Sequence, residues 1–188
     1  FRNKVILDPG HLQEAATEYE FFERDDTVEL RNDVVKLYDG IECGLIVLGF
    51  ENQMKVDYRM PIRMMLYNSI RYDYELGLIE RHSWKTKIAP VISHVLNFSY
   101  RQKWEYPLSI RDLLDIPHGL EEFVQDYKIG VTNLAWLSES ERSHLTGDFR
   151  ILVDALCDMR LYGHVQASHR KVKRAKVLLA VLAATTHE

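Results

Sequence analysis

The chain has 188 residues, a formal net charge of −4, and 46% hydrophobic and 28% charged residues. This length and composition are typical of one globular domain, and they exclude a disordered chain and a fibrous repeat. No apolar run approaches the roughly 20 residues of a membrane helix, so we expect no membrane partner.

The cysteines and the net charge indicate which metal sites, which cellular compartment and which partners fit this protein. Cys43 and Cys157 lie far apart, with no CxxC pair and no histidine at metal-binding spacing. A zinc site or a disulfide framework needs more ligands, and this cysteine usage favours the reducing cytoplasm. The negative net charge excludes a surface that is basic throughout, but it leaves room for a local basic patch that binds nucleic acid.

A β-hairpin is the first regular element that the sequence predicts. Residues 1–30 contain turn signals and several acidic residues, and we expect them to be irregular. Residues 33–38 (DVVKLY) are rich in Val and Leu, Asp39-Gly40 is a hairpin turn signal, and residues 44–50 (GLIVLGF) are almost continuously apolar. The second strand is expected to end where the polar Glu51-Asn52-Gln53 begins.

Helices and strands follow the hairpin. A helix is predicted from about Met60 to Glu80, with Asp57 as its N-cap and Pro61 in its first turn. Two further strands are predicted at residues 88–98 and 127–137. The rest of the chain is expected to be helical, with a capping box at Ser138 and helices over residues 148–162 and 168–184. This order predicts an α/β protein with a mixed sheet, flanking helices and a helical C-terminal extension.

Two carboxylates flank the predicted hairpin. Asp33 opens its first strand and Glu51 follows its second, so antiparallel pairing is expected to bring them to one edge of the sheet. Gln53 is two residues beyond Glu51 and shares its face of the strand. Oxygen ligands on a rigid edge suit Mg²⁺, and the pattern predicts a metal-centred site with Asp33 and Glu51 as ligands. The alternative is that Asp33 is an exposed turn residue and that Glu51 lies where the strand emerges into solvent.

The spacing around these residues resembles a nuclease signature. Asp33, 17 intervening residues and Glu51-Asn52-Gln53, preceded by an apolar strand, resemble the D…(D/E)xK motif of the PD-(D/E)XK nucleases. Residues 48–67 (LGFENQMKVDYRMPIRMMLY) are similar to the Rpn-type, YhgA-like recombination-promoting nucleases and putative transposases, which carry Gln where the usual motif has Lys. The blocks PVISHVLNFS, KWEYPLSIRDLLDIP, DYKIGVTNLAWL and GDFRILVDAL extend the resemblance over about residues 28–160.

The resemblance implies a fold and an activity. The fold would be restriction-endonuclease-like over residues 1–137, with its N-terminal helix truncated, followed by a helical extension over residues 138–188. The activity would be Mg²⁺-dependent hydrolysis of phosphodiester bonds by a DNA endonuclease linked to recombination or transposition. DNA is the implied partner, and a monomer and a homodimer are both open as the active form.

The resemblance also assigns roles to five residues. Asp33 and Glu51 would bind Mg²⁺, and Gln53 would take the position of the Lys that holds the attacking water or the phosphate. Arg63 and Tyr67 match helix positions that follow the motif, and because they are four residues apart they share one helix face. We expect this pair to face the site, with Arg63 near Glu51 or the scissile phosphate.

A second function fits the same residues. Gln53 cannot supply the positive charge of a Lys, so the alternative is a catalytically inactive nuclease-like fold that binds DNA or a partner protein. The basic run at residues 169–176 (HRKVKRAK) is either a DNA-contacting helix or the solvated face of an amphipathic terminal helix.

Overall fold

The computed structural model describes residues 9–14, 18–23, 26–31, 34–38, 46–53, 55–80 and 88–186. Within these ranges the chain is mixed α/β, as the order of predicted elements indicated. The strands are β1 Leu12–Glu14, β2 Glu18–Glu23, β3 Asp26–Arg31, β4 Val34–Tyr38, β5 Ile46–Gln53, β6 Val91–Asn97 and β7 Gly130–Asn133. The α-helices are α1 Met60–Glu80, α2 Glu139–Ser143, α3 Gly147–Tyr162 and α4 Ala175–Thr186.

Five of the strands form one sheet in the order β1-β4-β5-β6-β7, and β2 pairs with β3 in a second sheet. The predicted hairpin is confirmed, because β4 and β5 are antiparallel, with pairs that run from Val34↔Phe50 to Tyr38↔Ile46. Strand β5 continues through Gln53 rather than ending at Phe50. The prediction was wrong at this end because the strand is defined by its backbone hydrogen bonds, which polar residues make as well as apolar ones.

The expectation of an irregular N-terminal segment was wrong for its described residues. β1 pairs antiparallel with β4, and β2 pairs antiparallel with β3 from Glu18↔Arg31 to Glu23↔Asp26. The register places Tyr19 opposite Leu30 and Phe21 opposite Val28. Polar and apolar residues alternate along much of both strands, and this period of two is a strand signal that the acidic composition obscured.

Helix α1 covers Met60–Glu80, the predicted range. The prediction of Asp57 as its N-cap was wrong, because Arg59 directly precedes Met60 and its carbonyl accepts the first helical N–H. Its first turn is closed by the backbone N–H of Arg63, which donates to the carbonyl of Arg59 at 3.1 Å. Pro61 lies in that first turn, where the missing N–H would have had no partner within the helix. Met60, Met64 and Tyr67 are buried at a helical spacing of four and three residues, so they form the inward face of the helix.

Strands β6 and β7 are shorter than the sequence predicted. β6 covers Val91–Asn97 within the predicted 88–98, and β7 covers Gly130–Asn133 within the predicted 127–137. A 3-10 helix at Leu134–Trp136 follows β7, and its turn is closed by the N–H of Leu137, which donates to the carbonyl of Leu134 at 3.3 Å. The apolar run there continues beyond the strand because Leu134 and Ala135 enter the core from this turn.

The first two C-terminal helices agree with the sequence analysis. Ser138 and Glu141 form the predicted capping box: the N–H of Glu141 donates to Ser138 Oγ at 3.3 Å, and the N–H of Ser138 donates to Glu141 Oε2 at 2.9 Å. Helix α3 ends at Tyr162, as predicted, and Gly163 follows with φ of 75°, a left-handed conformation that glycine adopts without strain.

The last helix begins later than predicted. α4 begins at Ala175, and residues 168–174 precede it as non-helical chain, so most of the basic run does not lie on a helix. The carboxylate of Asp148 accepts hydrogen bonds from the backbone N–H groups of Lys173 and Arg174, at 2.8 and 2.6 Å. A helix over these residues would use the same N–H groups for its own carbonyls and would stack like charges on successive turns, which is unfavourable.

The chain divides into two compact units. The first comprises Phe1–Glu51, Arg59–His94 and Pro107–Gly130, and the second comprises Asn52–Tyr58, Val95–Tyr106 and Val131–Glu188. The core of the second unit contains Phe98, Leu134, Ala135, Leu152, Val153, Leu156, Cys157 and Leu178. The predicted boundary between residues 137 and 138 stays a prediction. Among the described helices, none has both the length and the apolar character needed to cross a membrane.

Candidate functional site

The three residues of the predicted metal-centred site are described to different extents. Asp33 lies outside the described residues. Glu51 and Gln53 belong to the backbone of β5, and their side chains also lie outside the described part of the chain. The nearest described pair of the hairpin is Val34 with Phe50, the residues that follow Asp33 and precede Glu51 in the sequence.

Arg63 and Tyr67 form a contact on α1. Arg63 Nη2 donates to the hydroxyl oxygen of Tyr67 at 3.2 Å, and the guanidinium carbon lies 5.9 Å from the centre of the tyrosine ring. Tyr67 is buried and Arg63 is half-buried. The prediction that the two side chains share one helix face is therefore confirmed. A guanidinium that is held by a neighbour loses less conformational freedom when it binds an anion.

The sequence analysis missed a polar network on the next turn of α1. Asn68 is 5% exposed, accepts a hydrogen bond from Ser93 Oγ at 2.5 Å and donates through Nδ2 to the hydroxyl of Tyr127 at 2.5 Å. That hydroxyl in turn lies 3.4 Å from the carbonyl of Met64, to which it donates. Asn68 and Tyr127 are 59 residues apart, so no local sequence pattern signals this contact.

Burial controls the chemistry of this network. Desolvation, reinforced by Tyr72, raises the pKa of Tyr127 to about 12. Tyr127 therefore stays a neutral phenol into the alkaline range, able both to donate and to accept. The hydroxyl of Tyr72 accepts the backbone N–H of Val91 at 3.2 Å and so makes a second link between α1 and the start of β6. Because these groups are uncharged and mutually satisfied, they position α1 rather than perform proton transfer.

The donor set of the predicted site fits a hard cation. Two carboxylates and a side-chain amide offer oxygen ligands, which Mg²⁺ prefers, and a two-carboxylate set leaves coordination positions for water and a phosphate. Among the residues that the structure describes, no group of three or more His, Cys, Asp or Glu residues is placed to hold a metal ion.

No family profile matches the chain, and neither the curated proteins nor the solved structures contain a significant match. The resemblance to the PD-(D/E)XK nucleases therefore rests on the motif and on the sequence blocks around it.

Proposed function

We propose that the chain is a Mg²⁺-dependent DNA endonuclease of the PD-(D/E)XK type, with a restriction-endonuclease-like fold and a role in recombination or transposition. The observation that carries the proposal is the antiparallel register of β4 and β5, in which Val34 pairs with Phe50. This register supports the hairpin geometry on which the predicted carboxylate pair depends.

Extending the register of β4 and β5 by one residue pair reaches the two carboxylates. In our proposal the pairing continues from Val34 and Phe50 to the next residues, Asp33 and Glu51. Directly opposite residues of an antiparallel pair project from the same face, with Cβ atoms roughly 4.5–5.5 Å apart. Carboxylates at that separation can share one divalent cation. In the same proposal Gln53, two positions along β5, shares the face of Glu51, since strand side chains repeat every second residue.

Each residue of the proposed site then has its own role in hydrolysis. When bound, the cation lowers the pKa of a water ligand and offsets the charge that develops on the phosphate. Asp33 and Glu51 hold it with their carboxylate oxygens. The Gln53 amide orients the attacking water or a phosphate oxygen by hydrogen bonding, without adding charge. Arg63 supplies the positive charge that a Lys supplies in the usual motif, and Tyr67 holds its guanidinium.

A neutral residue at the Lys position favours a second candidate, a nuclease-like fold that binds DNA or a partner protein without cutting it. Electrostatic stabilisation of the developing charge is weaker when Gln replaces Lys. The two candidates differ in one respect that can be measured, since both allow DNA binding and only the first requires a metal-dependent break in the strand.

The test is the nicking of supercoiled plasmid DNA. We expect nicking in Mg²⁺, none in EDTA, and a loss of at least about 100-fold in Asp33→Ala and in Glu51→Ala. Asp115→Ala and Glu122→Ala are matched controls, because both acidic side chains are exposed. Calorimetric titration with Mg²⁺ should show binding that both site variants lose and both controls keep.

Two outcomes would overturn the proposal. Nicking that survives both site substitutions would place the activity elsewhere. A wild-type chain that binds DNA but neither nicks it in Mg²⁺ nor binds the cation would establish the non-catalytic candidate instead.

A further inference from the structure

The second compact unit carries a concentrated positive charge. Between Gly163 and Thr186 the chain has five Lys or Arg residues and no acidic residue, although its net charge is −4. These five residues fall within residues 168–176, which we call the basic strap. Every residue of the strap is exposed.

The strap is attached to α3 mainly through its backbone. Asp148, at the start of α3, accepts the N–H groups of Lys173 and Arg174 at 2.8 and 2.6 Å. Asp158, near the end of α3, accepts the N–H of Gln166 at 3.0 Å, just ahead of the strap. The hydrogen bonds from Lys173 and Arg174 hold the pKa of the Asp148 carboxyl below its ordinary value, so the attachment extends to more acid pH than an unperturbed carboxylate would allow.

Because the strap is attached through its backbone, most of its basic side chains form no ion pair with a described residue. Arg170 is the exception, since its Nε lies 3.7 Å from Asp154 Oδ2. The side chains of Lys171, Lys173, Arg174 and Lys176 make no ion pair with any described residue. The carboxylate of Asp148 offsets part of their charge at longer range, but its oxygens are occupied by backbone N–H groups. The strap therefore presents several cations on an ordered backbone.

We propose that the basic strap binds the phosphate backbone of duplex DNA. Duplex DNA carries one negative charge per roughly 1.7 Å of axis, so it can engage several closely spaced cations at once and release the counterions they displace. Because Asp148 already holds the strap backbone, the strap loses less conformational entropy when it binds DNA. The choice of DNA as the polyanion rests on the proposed nuclease function.

An anionic membrane surface is the main competing ligand for such a segment. Segments that lie in a membrane interface insert large apolar side chains beside their basic residues. Within the strap, Val172 and Ala175 are the two aliphatic residues, and neither is large. Val177 and Leu179, 59% and 64% exposed, follow the strap on α4, so the preference for DNA over a bilayer rests on the proposed nuclease function, and vesicles provide the test.

The test is fluorescence anisotropy of a labelled 20-base-pair duplex, titrated with the full chain in EDTA so that no strand is cut. In the triple variant Lys171→Gln, Lys173→Gln, Arg174→Gln we expect binding about tenfold weaker at 0.1 M salt. The slope of log affinity against log salt should fall in magnitude by about 2–3, because each phosphate contact contributes roughly 0.9 to that slope.

The control variant removes the same charges from elsewhere on the surface: Arg101→Gln, Lys103→Gln, Lys128→Gln. These three side chains are exposed and again comprise two lysines and one arginine. We expect its affinity within about twofold of the wild type, because in the proposal the phosphate contacts are made by the strap cations and not by these three residues. An equal loss in both variants, or no loss in the strap variant, would overturn the proposal.

Two further measurements, one with lipid vesicles and one with the site variants, distinguish the remaining outcomes. Sedimentation with vesicles of phosphatidylserine and phosphatidylcholine should leave the chain in the supernatant, and pelleting without DNA binding would assign the strap to membranes. Asp33→Ala and Glu51→Ala should keep full DNA affinity in EDTA. If the wild type does not nick in Mg²⁺ but the strap variant still loses binding, the nuclease proposal fails and the strap proposal stands.

Discussion

Asn97 and Asn133 are joined by a hydrogen bond of 2.9 Å, from Nδ2 of the first to Oδ1 of the second. Asn97 is fully buried at the end of β6, where it also donates to the carbonyl of Gln102 at 2.9 Å and accepts the N–H of Ser99 at 3.1 Å. Asn133 Oδ1 accepts in addition the N–H of Trp104 at 2.7 Å. The two amides thereby connect β6, β7 and the intervening loop over residues 98–106.

Removing the Asn97 amide should destabilise the second unit. Asn97→Ala leaves the carbonyl of Gln102 and the amide oxygen of Asn133 without this donor, so we expect a loss of about 3 kcal/mol in urea unfolding. Asn97→Asp should not rescue stability, because a carboxylate faces the same acceptors without a proton to donate. Gln125→Ala, at an exposed position, should lie within about 0.5 kcal/mol of the wild type. A loss below about 1 kcal/mol for Asn97→Ala would contradict the network.

Two arginines and two carboxylates form a closed ring of ion pairs between α2 and α3. Arg150 donates to Asp154 and to Glu139, each at 2.7 Å, and Arg142 donates to the same two carboxylates, also at 2.7 Å. The side chain of Arg150 is only 5% exposed, whereas that of Glu139 is 70% exposed. These carboxylates raise the pKa of Arg150, with Asp154 the larger cause.

This asymmetry predicts unequal effects for the two acids. Asp154→Ala leaves the buried Arg150 with an exposed partner only, and we expect a loss of about 3 kcal/mol in the free energy of unfolding. Glu139→Ala should lose clearly less, because an exposed carboxylate contributes little and Asp154 still pairs both guanidiniums. Urea unfolding of both variants at one pH checks the order. Equal losses would show that the ring is not organised around the buried pair.

The raised pKa of Tyr127 predicts an alkaline loss of stability. Its pKa rises from an ordinary 10.0 to about 12 on folding, so the neutral form is favoured in the folded state. The stabilisation is fully present below pH 10 and is lost as the pH rises from 10 towards 12, because the unfolded chain releases the proton first. The difference in stability between wild type and Tyr127→Phe should therefore shrink between pH 8 and pH 10.5 or above. A constant difference over that range would contradict the burial of the phenol.

The lowered pKa of Asp148 predicts a loss of stability at acid pH. Its hydrogen bonds from the N–H groups of Lys173 and Arg174 favour the ionised form in the folded state. The stabilisation is present above its ordinary pKa of 3.8 and is lost as the pH falls below that value towards the folded-state pKa. Asp148→Asn should lose stability at pH 7 and should show a shallower decline at acid pH than the wild type. The exposed Asp115→Asn is the matched control.

The pair of Arg63 and Tyr67 gives a prediction on activity that rests on the proposed nuclease. Arg63→Gln should lower the nicking rate by about 100-fold if the guanidinium contacts the developing charge. Tyr67→Phe removes only the hydroxyl that holds Arg63 and should lower the rate by a few-fold. The exposed Arg101→Gln controls for net charge. Unchanged nicking in Arg63→Gln, with an unchanged unfolding midpoint, would remove Arg63 from the site.

Local sequence patterns were sufficient to predict several elements of this chain. The range of α1 was predictable because a first-turn proline and apolar residues at helical spacing agree over 21 residues, whereas its N-cap was not. The capping box at Ser138 was predictable because it needs only a hydroxyl and a Glu three residues later. The β4–β5 hairpin was predictable because both strands are apolar and a turn signal separates them.

Long-range contacts decided the rest. No sequence period places Asn133 against Asn97 or Tyr127 against Asn68, because these partners meet only after the strands and α1 have packed. The start of α4 was likewise decided by Asp148, whose carboxylate takes up backbone N–H groups that the sequence alone assigns to the helix. Local signals specify how neighbours along the chain arrange themselves, whereas hydrogen bonds across packed elements depend on which surfaces the fold brings together.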